Sequence, residues 1–220
     1  MLALDPAARF EALAADGDRV PAGAVLARVE AGARALLSAE RTALNLLGRL
    51  SGVASLTRAY VDAVEGTGAR IADTRKTTPG LRHLEKYAVR CGGGLNHRFG
   101  LDDAILIKDN HVAACGGVGE ALKRARAAAG HLMKIEVEVD SLAQLEEALP
   151  HRPDVIMLDN FSLGDLAAAV RIAGGEVTLE ASGGVNLQTV RGIAETGVQA
   201  ISVGALTHSA MVLDIGLDAA

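Results

Sequence analysis

Apolar positions change their spacing partway along this chain of 220 residues. Leu36, Ala39, Ala43, Leu46, Leu47, Leu50, Ala54 and Val61 recur at helical intervals, which predicts a long helix rich in small residues over 31–65. Gly48 and Gly52 inside it predict a close neighbour, best supplied by another helix, or a break near Ser51. A G-x-x-x-G pattern can mark paired membrane helices, but Glu40, Arg41, Arg49 and Arg58 exclude a bilayer here. Ahead of the helix, 1–16 reads as a short helix on Leu2, Leu4, Ala8 and Leu13. Turn signals follow at Gly17-Asp18 and Pro21-Ala22-Gly23, and 25–29 reads as one strand. One short strand cannot form a sheet by itself, so the front end reads as the remainder of a domain.

Beyond residue 66 the pattern alternates. Short apolar runs at 69–72, 104–107, 135–139, 155–158, 177–179 and 200–203 predict strands buried on both sides. Helical runs at 81–90, 119–129, 141–149, 162–173 and 187–195 lie among them. Six strands joined by helical crossovers predict a parallel sheet, either a barrel or an open doubly wound sheet. Polar residues recur where strands end: Arg75-Lys76, Lys108-Asp109-Asn110-His111, Glu138 and Asp140, Asp159-Asn160, Ser182-Gly183-Gly184 and Gly204-Ala205. A barrel gathers such ends at one mouth, which favours the barrel.

Composition narrows the class. Half the residues are hydrophobic and 22% are charged, enough for one full core, but aromatics are only 2%, so that core must be aliphatic. The net charge of -5, with no aromatics interleaved among the basic residues, argues against nucleic acid as the main partner. Cys91 and Cys115 have no C-x-x-C spacing. Reduced thiols in a cytoplasmic protein fit better than a zinc site with His97 or His111. The first ten residues lack the layout of a signal peptide.

The candidate chemistry centres on Asp73-Thr74-Arg75-Lys76-Thr77-Thr78-Pro79-Gly80-Leu81-Arg82. Between Arg70 and Arg98 there are seven Lys or Arg against two acids, in a chain that is acidic as a whole. Adjacent cations after a buried strand, beside a Thr-Thr-Pro-Gly turn, suit a small ligand with several negative charges. Gly183-Gly184 and Gly204 follow the last two strands, with hydroxyls at Ser182 and Thr207. Such loops present backbone N–H groups to a phosphate, and the helix that follows adds its positive end. Lys108 closes an apolar strand and needs an anion, from Asp109, another carboxylate or a ligand. Glu138 and Asp159 on neighbouring strand ends could bind ribose hydroxyls, hold Mg²⁺ or share a proton. Alternatively they form ion pairs with Lys134 or Lys108.

Taken together, these segments resemble quinolinate phosphoribosyltransferase, and the likeness runs from about residue 30 to the end. The residues that carry it are 73–82, Glu85-Lys86-Tyr87-Ala88-Val89, Gly92-Gly93-Gly94, Asn96-His97-Arg98, Ile105-Leu106-Ile107-Lys108-Asp109-Asn110-His111, Glu136-Val137-Glu138-Val139, Met157-Leu158-Asp159-Asn160, Glu180-Ala181-Ser182-Gly183-Gly184 and 201–208. The resemblance implies an open six-stranded α/β barrel over 67–220, a long helical segment and dimer contact over 31–66, and part of an N-terminal α/β domain over 1–30. It also implies that the chain begins inside that domain. The implied reaction joins quinolinate to phosphoribosyl pyrophosphate with Mg²⁺, giving nicotinate mononucleotide, CO₂ and pyrophosphate.

By the same resemblance, Arg75, His97, Arg98 and Lys108 bind the quinolinate carboxylates. Arg41 enters from the partner in a homodimer. Thr74 and Lys76 line the site, with Lys76 on pyrophosphate oxygens. Glu138 and Asp159 hold the ribose and steady the cationic sugar. Ser182, Gly183, Gly184, Gly204 and Ala205 bracket a phosphate, and Lys76, Lys108, Glu138 and Asp159 are the catalytic set. A related molybdenum-transport-associated protein is expected to lack the lysine found here as Lys108. An inactive binding or assembly module is the alternative from another class.

Overall fold

The computed structural model describes residues 3–219. Strands β1 (Arg9–Ala12) and β2 (Ala27–Glu30) form an antiparallel pair, with Arg9 opposite Glu30. The short helix expected over 1–16 is therefore not there, and its Leu2 lies outside the described residues. Pro6 cannot continue a helix, and pairing with β2 decides the conformation of 9–12. Asp5 turns back instead. Its carboxylate accepts the Gly32 N–H at 2.8 Å at the start of the next helix, and that bond and the Ala7 N–H lower its pKa.

Helix α1 (Ala33–Ala63) runs without interruption past Ser51. The neighbour that Gly48 and Gly52 admit is an extended chain, not a helix. A Cβ on Gly52 would stand 1.9 Å from the Met211 carbonyl oxygen, and one on Gly48 would stand 2.7 Å from that of Leu213. The Leu213 N–H donates to the Gly48 carbonyl at 3.0 Å. Arg49, one position on, donates to the Ala210 and Thr207 carbonyls and to Glu85. Gly52→Ala is thus expected to destabilise the protein by roughly 1–3 kcal/mol, the cost of overpacking, although Ala is the better helix former. Urea melts of the two proteins check this; an equal or higher midpoint for the variant would contradict the contact.

The rest is a parallel sheet of six strands in the order β3-β8-β7-β6-β5-β4. Its members are β3 (Arg70–Ala72), β4 (Ile105–Ile107), β5 (Ile135–Val139), β6 (Val155–Asp159), β7 (Thr178–Ser182) and β8 (Ala200–Ser202). Five crossovers carry α2 (Arg82–Cys91), α3 (Asp109–Cys115) with α4 (Val118–Ala128), α5 (Leu142–Ala148), α6 (Leu163–Ala173) and α7 (Val190–Glu195), and α8 (Ala205–His208) follows β8. β4 through β8 are neighbours in chain order and β3 joins β8, so the sheet is a barrel left open between β3 and β4. The segment after α2 comes alongside that gap: Leu95 bridges to Ala72, and its N–H donates to the Ile71 carbonyl at 2.7 Å.

The strands are buried on both sides, as expected, but only one of the two faces is apolar. Register and the two-residue period put Ile71, Ile135, Val137, Val139, Ile156, Leu158, Leu179, Ala181 and Ile201 on one face, all buried. The same register puts Glu136, Glu138, Met157, Asp159, Glu180, Ser182 and Ser202 on the other. The helices cover the apolar face; the inner face is largely polar. An interior lined with carboxylates and hydroxyls contributes less hydrophobic stabilisation than an apolar one, and it supplies chemistry at the mouth.

Candidate active site

Strand C-terminal ends and the 96–98 segment build the site. Asp73, at the end of β3, is fully buried and forms a salt bridge with Lys86 of α2, which is 3% exposed. The Asp73 carboxylate also accepts the His97 N–H at 2.8 Å and the Asn96 side-chain amide at 2.6 Å. Lys86 reaches on to the His97 carbonyl at 2.8 Å. This buried pair pins the 96–98 segment to β3. A second buried carboxylate, Glu85, holds the 77–80 turn: it accepts the Thr78 N–H and hydroxyl at 2.9 and 2.7 Å and Arg49 from α1.

The anchored segments bring cations together. Arg75 is half-buried, and its Nε is buried with no protein partner. Arg98 stands close enough that burial first, and then the Arg75 charge, lower its pKa. Lys108 reaches across from β4 to Glu138 of β5, Nζ to Oε2 2.7 Å. The ion-pair alternative for Glu138 therefore holds in this state, while Lys134 pairs with Asp154. Asp159 is register-paired with Ser182 on β7 and accepts from the Asn160 amide at 2.7 Å. Among the described residues, Glu138 Oε1 and Asp159 Oδ1 make no hydrogen bond and remain available to a ligand. The Thr74 hydroxyl accepts the Lys76 N–H at 3.1 Å and shapes the turn.

The Lys76 side chain lies against the turn after β8: a Cβ on Gly204 would be 3.1 Å from its Cδ. Gly183 and Gly184 both have φ in the left-handed region, +89° and +62°, and Gly183 lies against Asn160 too closely for a Cβ. Two expectations about this loop change. The Thr207 hydroxyl is buried and donates to the Lys76 carbonyl at 2.7 Å, so it braces the loop and does not face a ligand. The helix after Gly184 does not begin until Val190, and α8 is a single turn. A phosphate here would meet backbone N–H groups and Lys76, with little from a helix dipole.

Arg41 is exposed on α1, and among the described residues its ion-pair partner is Glu40, at 3.8 Å, so this chain does not bring it to its own site. His111 caps α3 by accepting the Lys108 N–H at 2.9 Å, and both cysteines are free. Neither cysteine joins a group of metal-donor side chains among the described residues. Two hollows of about 290 and 300 Å³ lie elsewhere, one beside Leu4 and Arg34 and one beside His111 and Cys115. The convergence of charged groups marks the barrel mouth as the site, which neither hollow does.

Comparison with known proteins agrees with this geometry. Residues 53–218 match the family model described as quinolinate phosphoribosyl transferase, C-terminal domain, and residues 1–51 match the N-terminal domain of the same family. The chain belongs to the quinolinate phosphoribosyltransferase family. It is 56% identical to a nicotinate-nucleotide pyrophosphorylase (carboxylating) of Mycobacterium leprae, over 92% of this chain and 72% of that one. It is 52% identical to a probable enzyme of the same name from Bacillus subtilis, over 92% and 70%. The crystal structure of NadC from Streptococcus pyogenes superposes with a TM-score of 0.93 at 46% identity, covering 97% of this chain and 75% of that one. The two family models meet within α1, so that helix is common to both domains.

Family membership leaves one grouping unassigned, and reading strand ends alone passes over it. Glu136 of β5 and Glu180 of β7, both buried, face the His97 ring: its Nε2 is 2.9 Å from Glu136 Oε2 and 3.6 Å from Glu180 Oε1. His97 Nδ1 accepts the Arg98 N–H at 2.9 Å. Both ring nitrogens are thus engaged within the protein. Burial acts to lower the His97 pKa, but the Glu136 hydrogen bond and the two carboxylate charges outweigh it and raise the pKa. Glu180 is pushed up to about 7, first by burial and then by the Glu136 charge. The signal was available in the period-2 pattern, since Glu136 shares a face with Glu138, and Glu180 with Ser182.

Proposed function

We propose that this chain is a decarboxylating quinolinate phosphoribosyltransferase of NAD biosynthesis, working in the cytoplasm. It transfers the phosphoribosyl group to the quinolinate nitrogen and releases pyrophosphate and CO₂. One observation carries the reading of the site: Arg75, Arg98 and Lys108, with Lys76, stand at the same end of the barrel as Glu138 and Asp159.

Quinolinate carries two carboxylates, and planar guanidinium groups match them geometrically. Arg75 and Arg98 take one end of the ring and Lys108 the other. Lys108 must then exchange Glu138 for substrate, which releases the Glu138 carboxylate toward the sugar. Mg²⁺ carried in by the co-substrate would add positive charge at the pyrophosphate, and Lys76 meets the pyrophosphate oxygens. As pyrophosphate leaves, positive charge grows on the ribose, and Glu138 and Asp159 stabilise it electrostatically. The pyridine nitrogen becomes cationic once joined to the sugar and stabilises the electron pair left on C2 as the 2-carboxylate departs as CO₂; a proton from solvent then forms the C2–H bond of nicotinate mononucleotide. Thr74, Ser182, Gly183, Gly184, Gly204 and Ala205 frame the phosphate.

The test is quinolinate-dependent release of pyrophosphate, with one CO₂ for each nicotinate mononucleotide. Quinolinate binding without pyrophosphate release would identify a binding module instead. Exposed Arg41 supports completion of each site by a second copy. Arg41→Ala and Lys108→Ala proteins are each expected to be nearly inactive, whereas mixing them before refolding should restore about a quarter of the activity, from hybrid dimers with one intact site. Full activity of Arg41→Ala alone, or no recovery on mixing, would count against a shared site.

A further inference from the structure

Glu136 and Glu180 are carboxylates of the barrel interior to which the reaction gives no part. They are 7% and 5% exposed, and Glu136 Oε1, Glu180 Oε1 and the Ser202 hydroxyl are buried without a protein hydrogen-bond partner. Ser202 is near enough to ease ionisation of Glu180, yet its hydroxyl makes no bond of good geometry. The donor atoms of His97, Glu136 and Glu180 all lie within 4.8 Å of one another. Other charges act on this cluster from several sides: Asp73 at the end of β3, Lys86 of α2, and Arg98, which feels both Arg75 and Glu136. A substrate carboxylate held by Arg75 and Arg98 therefore lies close to buried negative charge.

We propose that Glu136 and Glu180 are positioning residues of the quinolinate pocket: they hold the His97 ring, and through it the Arg98 backbone, and they take up one proton when the substrate binds. The inference rests on the reading that Arg75 and Arg98 receive quinolinate. The geometry provides for both parts. Nδ1 of His97 accepts from Arg98, so Nε2 carries the proton that Glu136 accepts. That leaves Glu180 as the group able to take a proton from solvent and become neutral. Two like charges this close in a buried site do not both stay ionised when a dianion approaches. The cation that fits is a proton and not a divalent ion, because the His97 Nε2 already stands between the two carboxylates, with Lys86 beside the ring and Arg98 beside Glu136.

The sign follows from the raised pKa of Glu180, about 7. Below that pH the carboxyl is already neutral and the substrate binds without proton uptake. Above it the proton must be taken from solvent, and apparent affinity falls with the protonated fraction, ~tenfold between pH 6 and pH 8. Linkage is reciprocal, so bound substrate raises the proton affinity of Glu180 by well over tenfold and keeps the carboxyl neutral in the complex at pH 8. The carboxyls of quinolinate itself titrate well below this range.

Calorimetry of quinolinate binding at pH 6, 7 and 8, in two buffers of different ionisation heat, tests this without turnover. The natural protein should lose ~tenfold in affinity and approach uptake of one proton at pH 8. Glu180→Gln, which mimics the neutral carboxyl, should bind equally well across the range, with uptake near zero. Glu136→Gln removes the charge that drives protonation and should move the same profile to lower pH; it also serves if Glu180→Gln fails to fold. The proposal is overturned by an affinity that does not vary with pH, by proton uptake that survives both substitutions, or by a stoichiometric divalent ion lost from Glu180→Gln. No quinolinate binding at any pH would instead remove the functional reading, and this inference with it.

Discussion

Arg75→Ala is expected to lower kcat/KM for quinolinate by ~2–5 kcal/mol, a factor of roughly thirty to several thousand, with the fold intact. The Arg75 Nε is a buried donor without a protein acceptor, and Arg98 beside it carries the same charge. Like charges held together without an anion cost stability in the empty protein, and the gain comes when a dianion arrives. Thermal stability of the variant should therefore be unchanged or slightly higher while its KM for quinolinate rises steeply. Arg75→Lys should recover only part of the loss, because an ammonium keeps the charge but not the planar fork. Steady-state kinetics with circular dichroism on both variants decide the matter. An unchanged KM for Arg75→Ala would remove this residue from the site.

The second large effect is on the fold. Asp73→Ala should cost ~3–5 kcal/mol in denaturant unfolding, because it leaves the buried Lys86 charge uncompensated. It also removes acceptors for the His97 N–H and the Asn96 amide, so KM should rise through misplacement of His97 and Arg98. Replacing Lys86 with Met in the same protein should restore much of the stability, since the penalty belongs to the unpaired charge. It should not restore KM, because the 96–98 segment still lacks its anchor. A loss below ~1 kcal/mol for Asp73→Ala would mean that the pair is solvated and weak.

Much of this was legible beforehand, for identifiable reasons. The strand runs at 135–139 and 155–158 are short and flanked by turn or cap residues, and they appear as β5 and β6 within one residue. Lys108, Glu138 and Asp159 fall at strand ends, where sequence position alone implies a shared mouth. At the front end, pairing between Arg9–Ala12 and Ala27–Glu30 overrides local helical spacing. The inner Glu136 and Glu180 are hidden in the sequence because an apolar average over a strand conceals its alternation. Arg49, Lys86 and Asn96 carry no sequence signal of their roles: each acts through a partner distant along the chain, as Arg49 does through Glu85 and Thr207.

The sequence by itself determined the alternation of strand and helix, the end of the barrel at which the polar residues lie, and the family. These follow from periodicities and motifs confined to a few neighbouring residues. Tertiary structure alone decided which charges meet. Lys108 rests on Glu138, and His97 has both ring nitrogens occupied by the protein. Thr207 turns inward as a brace, and the tail at 211–213 lies in the space left by Gly48 and Gly52. Contacts between residues far apart in the chain depend on strand register and on burial, and no local pattern encodes either one.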